Sequence, residues 1–442
     1  MKKAFINGHV IEGQADSEAR RADVLVEDGK IAYVGEASVE QLAGFETVDC
    51  TGKYIMPGLI NMHAHLFGAG KPSKLLGGGS AQKLVIRLVQ TGIGHKIADR
   101  LVEKNVQAAL YSGVTTIRSM GDFVGSDLRT RDRVRAGKKP GPRMFCPGTA
   151  ITVPTGHGDG TFAEIAETPD ALRTLVDAHH AAGVDLIKIC VTGGVMDAKE
   201  KGSPGELKMS LEQTRAVCDR AHELGLRVAS HTESPEGMVV AIEGGVDTIE
   251  HGAAFDEEHA HLLKRRNGGY IVTISPALPL YKLPPALTKL PEMAVYNSGV
   301  VLDGMLQGAR EAKKMGIPVG LGTDASCPFA TQHGMWRELW YYQKLAGVSA
   351  AEAISAATLV NARILGVGDR TGSVECGKFA DLLIVNGNPL EDMKVLRDPF
   401  AVVMEGVMLQ DKPKKDPAVE AELDQLMQRV EAEQNESRVE AV

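Results

Sequence analysis

The stretch Pro57-Gly58-Leu59-Ile60-Asn61-Met62-His63-Ala64-His65 reads as a short apolar strand that ends in two histidines. On a strand, residues two apart point to the same side, so His63 and His65 project together. Two imidazoles so placed can share one metal ion. A lone His-x-His says little, and its meaning depends on what the rest of the chain brings to the same place.

Working outward from it, short β-rich runs alternate with longer segments of helical period over residues 58–372. That alternation generates a parallel sheet with crossover helices. The runs are 55–65, 113–122, 144–153, 185–194, 227–234, 248–252, 270–278 and 318–326. Segments such as 98–112, 169–183, 211–225 and 304–316 carry apolar residues three and four apart and mostly stop at Gly, as helices do. Eight strands with eight helices are expected to close into an α/β fold of the (β/α)8 TIM-barrel type.

The flanks, 1–57 and 373–415, hold short alternating segments around turns such as Glu27-Asp28-Gly29-Lys30 and Asn386-Gly387-Asn388-Pro389. Chain ends often lie close together, so a small flanking β-sandwich built from both termini is expected. Residues 416–442 are Glu-rich, with Leu423, Leu426, Met427 and Val430 at helical spacing. They read as a surface helix with a frayed tail, or as an oligomer contact.

Composition narrows the function classes. A net charge of -8 over 442 residues provides no basic field for polyanions, so nucleic acid is not an expected partner. The 6 cysteines are scattered and form no Cys-x-x-Cys, which fits a reducing compartment. The apolar run after Met1-Lys2-Lys3 is too short for a secretory segment, and no stretch approaches a membrane span. A cytoplasmic protein is expected.

Five of the eight runs deliver a ligand-type residue in or at the C-terminal end of a strand, the rim where catalytic groups of a barrel gather. These residues are His63 and His65, Lys188 in Leu186-Ile187-Lys188-Ile189-Cys190, His231 in Val228-Ala229-Ser230-His231, His251 in Thr248-Ile249-Glu250-His251, and Asp324 in Gly320-Leu321-Gly322-Thr323-Asp324. Taken singly, each has a plainer reading: a satisfied hydrogen-bonding histidine, or a helix cap for Asp324. Together they read as a metal site. Lys188 lies in an apolar strand, where a bare ammonium is costly to bury. A deprotonated amine can add carbon dioxide, and the carbamate is an anionic ligand with two oxygens. The other reading pairs Lys188 with a carboxylate such as Glu250 or Asp324.

At these residues the chain resembles the amidohydrolase superfamily, within it the branch related to imidazolonepropionase and to prolidase-like metallo-dependent dipeptidases. The likeness runs from Gly29-Lys30-Ile31, through the His-x-His run and the Lys, His, His and Asp strand ends, to Gly372-Ser373-Val374-Glu375-Cys376-Gly377-Lys378-Phe379-Ala380-Asp381-Leu382. It implies two divalent metal ions, with Zn²⁺ expected. His63, His65 and Asp324 would hold the more buried ion, His231 and His251 the more exposed one, and carboxylated Lys188 would bridge both. A bridging hydroxide would attack the scissile carbonyl, with Asp324 as general acid and base. Relatives are commonly homo-oligomers.

For substrate contact the expected residues are His157 in Thr155-Gly156-His157-Gly158-Asp159, Arg118 as a carboxylate clamp, Glu233 and His333. Arg118-Ser119 departs from the usual Arg-Asp of relatives, and Glu233 stands where peptidase-like relatives carry His or Tyr. The expected reaction is hydrolysis of a dipeptide, an N-acyl amino acid or a similar small charged amide. The alternative is a cyclic-amide hydrolase or deaminase acting on a heterocycle, which Glu233 favours and Lys188 opposes. A barrel without catalysis, serving as a scaffold, is disfavoured because all six ligand positions are filled.

Overall fold

At Gly58 the chain passes from one sheet into another. In the computed structural model, which describes residues 2–72 and 80–440, the strand Tyr54–Pro57 pairs antiparallel with Leu382–Val385. Directly after it, Leu59–Ala64 pairs parallel with Val114–Ser119. A side chain on Gly58 could not be accommodated, because its Cβ would lie 2.3 Å from the Thr115 side chain.

The barrel strands are Leu59–Ala64 (β1), Val114–Ser119 (β2), Arg143–Phe145 (β3), Ala150–Thr152 (β4), Ile187–Cys190 (β5), Val228–Thr232 (β6), Thr248–His251 (β7), Gly269–Val272 (β8) and Val319–Leu321 (β9). Strands β1 to β3 form one parallel sheet, and β4 to β9 belong to another, to which Ala163–Ile165 adds beside β4. The segment following β9 returns to β1. The Thr323 and Asp324 amides donate to His63 O at 3.0 and 2.8 Å, and the His65 amide donates to Ala325 O at 3.0 Å. Asn361 ties the same two strands together: its Nδ2 donates to Ile60 O at 2.7 Å and to Leu321 O at 2.8 Å. The fold is TIM-barrel-like.

Helices between the strands start at the caps that the sequence offers. Thr168, Ser210, Ser234 and Asp256 each accept a backbone N–H in the first turn of a helix, and Ser210 forms a capping box with Gln213. Their apolar faces join the strands in one large core that includes Ile117, Ile187, Ile249 and Leu321.

Two expected strands differ. The run 144–153 is interrupted at 146–149, where Pro147 precedes Gly148 at φ 72°. In the run 270–278 only Gly269–Val272 is extended, and Ile274–Lys282 is a helix. Its first amides are capped from far along the chain, with Ile274 N–H and Ser275 N–H donating to the two Glu338 oxygens at 2.6 and 2.7 Å. An apolar run alone does not reveal such a partner.

The two ends of the chain meet in one eight-stranded sheet, in which Lys2–Val10 pairs with strands at Arg20, Glu46 and Tyr54, and Leu382–Val385 joins it to Ala401–Met404. This sheet has its own core, with Phe5, Val24, Ile55, Leu382 and Val403 among its members. The helix Pro417–Glu440 buries Val419, Leu423, Leu426, Met427 and Val430 against the chain itself. The apolar stripe read as a possible oligomer contact is therefore used internally. Among the described residues no helix is long and apolar enough to cross a membrane, and all six cysteines are free.

Candidate active site

His63 and His65 leave β1 side by side, and Asp324 reaches them from the segment after β9. The Asp324 Oδ1 atom lies 3.5 Å from Nε2 of His63 and 3.4 Å from Nε2 of His65. Gly322 permits this approach, since a Cβ there would sit 2.5 Å from the His63 backbone nitrogen. His251 ends β7 at φ 65° and Asp324 stands at φ 47°. Two ligand-type residues thus occupy the sparsely populated left-handed region, as held residues at functional sites often do.

The far nitrogens of these rings are fixed. His63 Nδ1–H donates to Glu250 Oε2 at 2.8 Å and His65 Nδ1–H to Gly121 O at 2.7 Å. Both acceptors lack a proton to give, so each Nε2 presents a lone pair. On the other side His231 Nε2–H donates to Gly193 O at 3.2 Å, which leaves Nδ1 as its free lone pair. His251 Nδ1 bonds the Thr273 hydroxyl at 2.7 Å.

Two groups of donor atoms result, each within 4.8 Å: His63, His65 and Asp324, and His231, Glu233 and His251. Burial pushes His63, His231 and His251 well below the ordinary histidine value of 6.5. It also lowers His65, against the attraction of Asp324. Neutral imidazoles are the form that binds metals. The donor set of four neutral imidazoles and carboxylates therefore suits divalent cations with a taste for nitrogen and oxygen.

Lys188 lines the cavity among them. It is 2% exposed, and its Nζ has no hydrogen-bond partner among the described residues. The carboxylate pairing considered for it is not made: Glu250 is occupied by His63 and Arg118, and Asp324 faces His63 and His65. Burial lowers the Lys188 ammonium from its ordinary value, opposed by Glu250, and its charge bears on all four histidines.

Of the four residues expected to touch substrate, two line the cavity, which measures about 390 Å³. His157 stacks on His231 with ring centroids 4.1 Å apart and planes 6° apart, and its Nδ1 is 2.5 Å from Asp197 Oδ2. Glu233 is the second. Its carboxyl is raised to about 8, chiefly by burial and then by Asp324 and Asp197.

The other two lie elsewhere. Arg118 is buried beneath the cavity and donates to Met62 O, Thr248 Oγ1 and Glu250 Oε1 at 2.7, 3.1 and 2.7 Å. Its guanidinium is used up inside the protein, so it is not a carboxylate clamp at the mouth. His333 is likewise committed, with Nε2 donating to Glu420 of the C-terminal helix at 3.0 Å. It packs under that helix and does not line the cavity.

Sequence reasoning passed over Asp197, and considered Glu250 only as a partner for Lys188. Asp197 also accepts the Gly194 amide at 2.8 Å; burial would raise its carboxyl, but the His157 bond outweighs this and lowers it. The signal for Glu250 was its place beside His251, since a metal-binding imidazole needs a partner for its other nitrogen.

Known proteins resemble this chain over most of its length. The amidohydrolase family's sequence profile matches residues 54–412. Ochratoxinase of Aspergillus niger is 27% identical over 428 residues, covering 89% of this chain and 83% of its own. Imidazolonepropionase of Mesorhizobium japonicum is 28% identical over 387 residues, 82% of this chain and 85% of its own. The crystal structure of a Bifidobacterium longum protein provisionally assigned as a prolidase superposes with a TM-score of 0.83 at 38% identity, covering 96% of this chain and 98% of that one.

Proposed function

The chain belongs to the amidohydrolase family, hydrolases of carbon–nitrogen bonds, and on that premise we propose that it cleaves the amide bond of a small molecule with two divalent metal ions. Lys188 is the observation that carries the binuclear reading. A buried amine without a hydrogen-bond partner is costly as an ammonium, whereas its carbamate supplies the anion that two cations need between them. In this reading His63, His65 and Asp324 would hold one ion and His231 and His251 the other, with carboxylated Lys188 as a further ligand. Zn²⁺ is the expected metal.

Two such cations supply Lewis acidity, which makes water a nucleophile near neutral pH and polarises a carbonyl. Asp324 is the base for that water and the acid for the leaving nitrogen, a carboxylate at hydrogen-bonding range of the site. His157, aligned by Asp197, and Glu233 orient the substrate. Arg118 acts at one remove, by holding the carboxylate that holds His63.

The same reading takes the strands of 58–372 as a closed (β/α)8 barrel, supported by the hydrogen bonds between β1 and the segment after β9. It takes 1–57 with 373–415 as a small β-sandwich domain and 416–442 as a helical tail, in a cytoplasmic homo-oligomer.

A second reading, a cyclic-amide hydrolase or a deaminase acting on a heterocycle, draws on Glu233. A carboxyl raised to about 8 is protonated at neutral pH and can donate to a ring nitrogen. Elemental analysis alongside a screen of dipeptides, N-acyl amines and heterocyclic amides separates the two. About two equivalents of metal with amide hydrolysis supports the first; full activity with one equivalent or fewer removes it.

A further inference from the structure

The segment between β5 and the Leu211–Glu223 helix, residues 191–210, walls the cavity on one side and contributes Gly194, Val195, Met196 and Asp197 to its lining. Its base is tied by backbone pairing: Gly193 N–H donates to Glu206 O at 2.8 Å and Lys208 N–H to Val191 O at 2.9 Å. Within the wall, Asp197 Oδ2 accepts the Gly194 amide at 2.8 Å and faces His157 Nδ1 at 2.5 Å. The place of this one carboxylate therefore decides how His157 is presented to a substrate.

Beyond Asp197 the segment continues as a tip, 198–204, and Asn297 holds it. Asn297 lies in the Glu292–Lys314 helix and is 0% exposed. Its Nδ2 donates to Glu200 O at 3.1 Å, and its Oδ1 accepts Gly202 N–H at 2.7 Å. A carbonyl and an N–H two residues apart on one chain match the two ends of a side-chain amide, which neither a hydrocarbon nor a carboxylate of that size reproduces. The ion pairs of the tip are exposed ones, Lys199 with Glu206 at 3.3 Å and Lys201 with Glu292 at 3.7 Å. Such pairs contribute little to holding a loop. The same helix supplies Ser298, Val301 and Met305 to the cavity, so Asn297 fastens one wall to another.

We infer that Asn297 is a positioning residue: by clamping the 198–204 tip to the Glu292–Lys314 helix it keeps Asp197 in place, and through Asp197 it sets His157 for the substrate. The inference rests on the amide-hydrolase reading for the reaction that is served, but the clamp itself is measurable without a substrate. It gives a part in that reaction to a side chain outside the cavity lining.

The test is hydrogen exchange resolved at single amides, with kinetics beside it, on the full-length, metal-loaded protein. In Asn297→Ala the Gly202 amide loses its acceptor directly, whereas the Gly194 amide, which donates to Asp197, reports at a distance whether Asp197 has kept its place. Both are expected to exchange about tenfold faster, the scale of one or two ordinary hydrogen bonds. KM for the best amide found by screening is expected to rise about tenfold, with a smaller change in kcat and the metal content unchanged. Faster exchange at Gly202 alone overturns the inference, as does unchanged exchange at both amides, and so does a fall in kcat with KM unchanged. If Asn297→Ala fails to fold, Asn297→Asp decides by the same Gly194 exchange, since it keeps an acceptor for Gly202 N–H and loses only the donor to Glu200 O. A wild-type protein that cleaves no amide counts against the hydrolase reading, while exchange at Gly194 still decides the inference.

Discussion

Glu250 accepts a hydrogen bond from His63 Nδ1 at 2.8 Å, and its other oxygen accepts one from Arg118 at 2.7 Å. Both ends of the carboxylate are thus taken up in setting the orientation of the His63 imidazole, one of the side chains that could hold a metal. Glu250→Gln keeps the shape but weakens the bond that fixes the tautomer. Metal affinity, measured by competition with a chelator, is expected to fall about 10–100-fold with the fold retained by circular dichroism. Unchanged affinity would show that His63 needs no such support.

Lys188 gives the second prediction. The metal-loaded protein is expected to carry a mass increment of one carbon dioxide at Lys188, lost when the metal is removed. Metal and bicarbonate together should restore activity faster than metal alone. Lys188→Ala should lose about two orders of magnitude or more in turnover, with partial rescue by acetate or propionate. An unmodified amine in a fully metallated, active protein would refute the carbamate.

Asp324→Asn tests proton transfer. The amide keeps an oxygen donor near the His63 and His65 nitrogens but cannot take a proton. Turnover is expected to drop about 10²–10⁴-fold while much of the metal stays bound. Near-normal turnover would remove Asp324 from the acid–base role.

The fourth prediction concerns acid stability. Burial opposes ionisation of Glu420, but bonds from His333 and Arg337 outweigh it and hold the carboxyl down to about 2, from an ordinary value of 4.5. A depressed acid stabilises the folded state in full above the ordinary value, and that contribution is lost as pH falls from about 4.5 toward 2. Glu420→Gln is therefore expected to be less stable at pH 7 by about 1–3 kcal/mol, with the gap closing in acid. Both tryptophans, Trp336 and Trp340, lie in the Met335–Ala346 helix, so fluorescence during urea unfolding reports this directly. A gap that stays constant with pH would contradict it.

The sequence made the barrel strands legible because their apolar runs are short and separated by capped helices. It also singled out His63, His65, Lys188, His231, His251 and Asp324 as residues that would meet in one cavity, because strand ends share one rim. Depth along a strand was not legible. Arg118 and His65 are both inward residues near strand ends, yet Arg118 lies in the layer below the cavity, where Glu250 waits for it. Nor could pattern alone show that Glu338 would turn 274–282 into a helix, or that Glu420 would claim His333. These are contacts between residues far apart in the chain, and periodicity reports only on neighbours.

The handover at Gly58 also bears on how the protein is made. Tyr54–Pro57 and β1 each pair on one side with a strand made at about the same time, but wait much longer for the partner on the other side. Ile60 awaits Asn361, 301 residues on, and Asn61 awaits Thr323, 262 residues on. At about 5–20 residues per second, synthesis leaves this segment and its two histidines without those neighbours for on the order of tens of seconds. An apolar strand with one open edge and two histidines is then a target for chaperones and for stray metal. A circular permutant that opens the chain elsewhere would shorten that wait, and its yield from a cell-free translation reaction would measure what the native chain order costs.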